Sequence, residues 1–183
     1  MGLFQFIKEL SNLTRAVNEA AKATEVDEPV ELPVLSPDMD DDALFDAAIE
    51  KIDILIELNE EDPSNAPLTL PQRYCYALNL LEMEVNNGGL CQFFVNSSRA
   101  VAPYVSDGLA AIGAKEHKEL FDCFIGKYKI NVNDLSSFAI RRMRDFEKQA
   151  KRYPFDEYDD QFYTLPSLQE PLTAYIRQHI DAF

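Results

Sequence analysis

The chain is 183 residues long, 46% hydrophobic, and carries a net charge of −15. This is enough apolar material for one globular domain with a proper core, which excludes a disordered polypeptide. No apolar run is long enough to span a bilayer, and Lys8 and Glu9 interrupt the apolar start, so neither an anchor nor a secretory signal is expected.

Gly2 to Ala23 predicts an amphipathic helix, with Leu3, Phe6, Leu10, Leu13, Val17 and Ala20 on alternating three- and four-residue steps. Its other face mixes Lys8, Arg15 and Glu19, too weakly basic for a membrane surface, so packing on its own domain or on a second copy is expected. Residues 25 to 37 include Pro29, Pro33 and Pro37 and predict an extended linker, because a residue before proline avoids the helical region. The expected layout is a helix over 1–24, an acidic proline-containing linker over 25–40, and an all-helical domain over 41–183.

Between Glu25 and Asp62 there are 15 acidic residues and one base, Lys51, so this segment carries nearly all of the net charge. Asp38 to Asp42 leads into a helix from Ala43 to about Leu58, with Leu44, Phe45, Ala48, Ile49, Ile52, Leu55 and Ile56 on its apolar face. Asp40, Asp41 and Asp42 suit the positive end of that helix. Asp46, Glu50, Asp53 and Glu57 step along the other face, about 5–6 Å apart. A solvated helix face accounts for such a stripe. Calcium binding fits poorly: Asp38, Asp40 and Asp42 match the first ligand positions of an EF-hand loop, but Ala43 replaces its glycine and Ile49 stands where the closing glutamate belongs. The third reading is phosphate mimicry, in which Asp40, Asp41, Asp42 and the four stripe carboxylates occupy the arginine and lysine pockets of a DNA-binding protein. Such a surface repels nucleic acid and attracts basic protein.

After a loop with Pro63 and Pro67, Pro71 to Met83 predicts a helix, and Asn86-Asn87-Gly88-Gly89 stops it. Leu90, Phe93, Phe94 and Val95 restart the apolar run, and Asn96-Ser97-Ser98 closes it as a cap for the next helix. The segment reads as a sharp corner between two buried helices. Its polar residues, Asn86, Asn87, Gln92 and Asn96 with Glu82 and Glu84, either satisfy backbone groups at the break or line a small pocket. Downstream, helices are expected over Arg99–Ile112, Lys115–Tyr128, Asn133 to Arg152, and Leu165–Phe183. Arg141, Arg142, Arg144, Lys148, Lys151 and Arg152 would give the third of these a basic face, solvated or docked on the acidic helix of a second copy. Tyr153 to Thr164 reads as an acidic aromatic loop.

Cys75, Cys91 and Cys123 all sit among apolar neighbours, which predicts buried free thiols in a reducing cytoplasm and neither a disulfide framework nor a zinc site. Cys91 has no partner base in sequence, since His117 and His179 belong to no recognisable motif.

Glu84-Val85-Asn86-Asn87-Gly88-Gly89, Gln92-Phe93-Phe94 and Asn96-Ser97, with Ala110 to Ala114 downstream, together resemble the signature of a bacterial family of unknown function that includes a protein described as a DNA mimic. The resemblance covers about residues 41–183 and implies an all-α fold, which the helical periodicity predicts independently. The expected function is an acidic interaction module that binds a basic protein, a transcription factor or nucleoid protein, without cofactor or metal. The alternative is a ligand-binding or enzymatic pocket at the Asn86–Asn96 corner. No acid–base pair, phosphate loop or metal set points to an enzyme.

Overall fold

A computed structural model describes residues 30–59 and 62–183. The helix expected over Gly2–Ala23, the first part of the linker, and Glu60 and Glu61 lie outside the described residues. Among those described there are seven α-helices, short 3-10 turns and no strand, so the all-α expectation holds. Residues Pro33–Phe183 make up one compact unit.

Helix α1 (Asp41–Glu57) forms because Asp40 caps it, its carboxylate accepting from the Ala43 N–H at 2.9 Å. Leu44, Ala48, Ile52 and Ile56 are buried on one face. Helix α2 (Leu70–Val95) begins with a capping box between Thr69 and Gln72 and a proline in its first turn. It is the central element: α1, the 3-10 turn Ser97–Tyr104, α3 (Val105–Ala111), α5 (Phe146–Ala150), α6 (Phe155–Phe162) and α7 (Gln169–Gln178) all pack on it. Helix α4 (Lys115–Tyr128) packs on α3 and α6. Helices α3 and α4 end with left-handed residues, Gly113 and Lys129, which turn the chain sharply. The segment before α1 is tied down by Arg177, whose guanidinium donates to the carbonyls of Pro37 and Met39, while Leu35 and Met39 pack on the core.

Several expected elements differ. The helix predicted from Asn133 to Arg152 is broken: a 3-10 turn at Ser136–Phe138 ends at Ala139, whose ψ of 129° leaves the helical region, and the chain resumes only as a 3-10 turn at Met143–Asp145 and then α5. Arg152 returns to donate to the Ser137 carbonyl and stacks on the Phe138 and Tyr153 rings. The expected basic helix face is therefore a folded-back segment. The aromatic loop expected over Tyr153–Thr164 is mostly α6, because Phe155, Tyr158 and Phe162 fall on one helical face and are buried. Asn96 does not cap the following turn with its side chain, and Arg99–Ile112 divides into the 3-10 turn and α3. The terminal helix is shorter than expected, α7 being followed by a 3-10 turn at Ile180–Ala182. Cys75 and Cys91 are buried as expected, but Cys123 is exposed.

Candidate functional site

The acidic row on α1 follows from the helix geometry. With one face in the core, Asp46, Glu50, Asp53 and Glu57 all emerge exposed, as do Asp40, Asp41 and Asp42 at the start. They are not equivalent. Asp41 forms an ion pair with Arg177 at 2.6 Å, Asp40 is used as the cap, and Asp42 accepts from the Gln169 amide at 3.3 Å. Burial of its carboxyl raises the pKa of Asp53, although the residue as a whole is exposed. Lys51 is the sole base within α1.

The corner in α2 is built around a buried glutamate. Backbone helicity fails at Gly88 and Gly89, and Gly89 takes φ 82°, ψ 172°, a conformation essentially restricted to glycine. Asn86, Asn87 and Gly88 are exposed and Gly89 is buried. The polar centre is Glu84, 7% exposed, which accepts from the Gln92 amide at 2.6 Å, from the Asn96 amide at 2.9 Å and from the Ser98 hydroxyl at 2.8 Å. A buried carboxylate must be hydrogen-bonded, and here three side chains from beyond the break supply the donors. Glu82 faces elsewhere and accepts from the Leu168 N–H at 2.8 Å, at the start of α7.

The break exposes backbone groups on both sides, and α6 meets them. Asp159 accepts from the Leu90 N–H at 2.8 Å, and the Tyr163 hydroxyl donates to the Val85 carbonyl at 2.8 Å. Partial burial pushes the Asp159 carboxyl up to about 6, against the Leu90 N–H, with Asp156 and Asp160 adding to the rise. Sequence reasoning set Glu84 near the break without making it the hub, read Ser98 only as part of a cap, and gave Asp159 and Tyr163 no role at the corner. The acid–amide spacing around Glu84 was a readable signal. The pairing with Asp159, 69 residues away, left none.

Cys91 is unsuited to nucleophilic chemistry, since burial pushes its thiol up to about 12 with Asp159 contributing. Among the described residues no group of three or more His, Cys, Asp or Glu side chains is placed to hold a metal ion, and no helix is long and apolar enough to cross a membrane.

The architecture is that of an all-helical acidic protein organised on one broken central helix. A family model described as DMP19-like protein matches residues 66–179, and the chain belongs to that family. The match begins later than the expected boundary near residue 41 and leaves α1 outside. No curated protein and no solved structure gives a significant match.

Proposed function

We propose that this protein is an acidic interaction module that occupies the nucleic-acid surface of a basic, DNA-binding protein, such as a transcription factor or nucleoid protein. Asp46, Glu50, Asp53 and Glu57 stand in for phosphates, with Asp40 and Asp42 extending the row. The supporting observation is the exposed carboxylate row on a rigid helix containing a single base. Membership of a family associated with DNA mimicry agrees with it. The matched residues themselves hold 14 acidic and 13 basic side chains, so the mimicry belongs to the acidic segment ahead of them. At about 1.5 Å rise per residue, the four stripe acids are spaced about 5.5 Å along the axis. One DNA strand carries a phosphate every ~3.4 Å, so the row matches a sparse strand and calls for a partner with well-separated basic side chains.

The test is capture from native-host lysate with stepped salt elution. A basic DNA-binding protein that elutes as salt rises, is displaced by duplex DNA, and is lost when Asp46, Glu50, Asp53 and Glu57 are changed together to their amides supports the proposal. Undiminished capture by that variant overturns it. The alternative at the Asn86–Asn96 corner has less support, because Gln92 and Asn96 spend their amides on Glu84.

A further inference from the structure

The corner of α2 treats its side-chain amides in two ways. Gln92 and Asn96 are bonded to the Glu84 carboxylate. Asn86 and Asn87 are exposed, and their side chains make no hydrogen bond among the described residues. Asn87 is followed by Gly88, the one Asn-Gly pair in the sequence, and helical geometry ends there, with Gly88 at φ −165°, ψ 23° and Gly89 at φ 82°, ψ 172°. An asparagine amide next to glycine is open to attack by the following backbone nitrogen, because glycine has no Cβ to block the approach. In the middle of a helix the regular backbone and its ladder of hydrogen bonds keep the two groups apart. Asp107-Gly108 could close a similar ring, but Gly108 is buried inside α3, where even an added Cβ would touch Leu78 and Tyr74.

We propose that Asn87 is a self-modification site, deamidating in the folded chain at a rate set by opening of the α2 corner. The Gly88 nitrogen gives its proton to a base in solution and bonds to the Asn87 side-chain amide carbon. The carbon–nitrogen bond of that amide breaks, ammonia leaves, and a cyclic imide remains. Water opens the ring at either carbonyl, leaving an aspartyl or isoaspartyl carboxylate, with nothing oxidised or reduced. Attack requires the last turn before the break to loosen. Tyr163 on the Val85 carbonyl and Asp159 on the Leu90 N–H close the corner from α6, so they govern the rate. The new carboxylate stands at the negative end of the first half of α2, on the same side of the helix as Glu84, so an aged chain holds its corner less tightly. This site is independent of the α1 row.

The measurement is peptide mass spectrometry of the full-length chain during incubation at mildly alkaline pH, following the mass gain that exchanges an amide NH2 for OH. The gain is expected at Asn87 ahead of Asn86, which precedes a bulkier residue, and ahead of Asn96, which Glu84 holds. It is slower in the folded chain than in urea and absent from Asn87→Gln. Tyr163→Phe removes one seal and should raise the Asn87 rate roughly fivefold, the weight of one hydrogen bond in a local opening equilibrium, while the other asparagines keep their rates. No gain at Asn87 in the folded chain, faster gain at Asn86 or Asn96, or an Asn87 rate unmoved by Tyr163→Phe would overturn the proposal.

Discussion

Gly89 is where the chain tolerates least. Its φ of 82° is left-handed, and a Cβ there would lie 2.2 Å from an Asp159 carboxylate oxygen. Gly88, at φ −165°, is merely extended, and a Cβ would meet the end of the Gln92 side chain, which can move. Gly89→Ala is therefore expected to cost ~3 kcal/mol, from strain and the displaced Asp159 bond. Gly88→Ala should cost ~1 kcal/mol, from the disturbed Gln92–Glu84 bond. Urea unfolding of the two variants checks the order. Asp159 itself gives a pH signature. Its carboxyl sits at about 6 in the folded protein, above the ordinary 3.8, so the folded state binds the proton more tightly. Its contribution is present at low pH and is lost as pH rises through about 6. Asp159→Asn keeps an acceptor for Leu90 and removes that loss, gaining ~1 kcal/mol at pH 7 after allowance for partial solvent screening, and little at pH 4. The profile left behind tilts the other way. Burial lowers the His117 pKa despite Glu82 and Glu116, so protonating it below about 6.5 costs stability. Thermal melts of both proteins across pH 4–8 separate the two contributions.

Helix α6 does for α2 what a continuous hydrogen-bond ladder would have done. Asp159 and Tyr163 serve the N–H and C=O groups that the break leaves without helical partners. Tyr163→Phe should cost ~1 kcal/mol and should speed amide exchange around the break while leaving α1 protected, which hydrogen exchange resolves by segment. At this scale the sequence was legible where one signal dominated. Leu44, Ala48, Ile52 and Ile56 spaced α1 correctly, and Asn86 to Gly89 marked the corner. The segment from Asn133 to Arg152 misled because its apolar spacing is helical on either side of Ala139, and periodicity cannot see a fold-back that brings Arg152 onto Ser137. In α6 the aromatic positions did carry a helical spacing, but the acids between them and Pro154 ahead read as loop. The exposed acids of the candidate row were legible from α1 periodicity alone. The loss of Asp41 to Arg177, 136 residues away, was not.

The whole molecule is electrically lopsided. The net charge is −15, yet the family-matched residues are close to balanced, so repulsion is concentrated near the front of the chain. Self-repulsion of this kind opposes the compact state and is screened by salt. The melting temperature is expected to rise by roughly 2–5 °C between 10 and 150 mM sodium chloride. A flat salt dependence in differential scanning calorimetry would mean that the acids are already compensated.

The break in α2 also sets an order of events during synthesis. Beyond Gly89 only six residues of that helix remain, Leu90–Val95, too few to persist alone. Its seals, Asp159 and Tyr163, leave the ribosome some seventy residues later. A nascent chain that stops short of them holds both halves of its central helix, including the apolar stub Leu90-Cys91-Gln92-Phe93-Phe94-Val95, without the two hydrogen bonds that close the break. The interval between those two moments is when this chain most needs a chaperone.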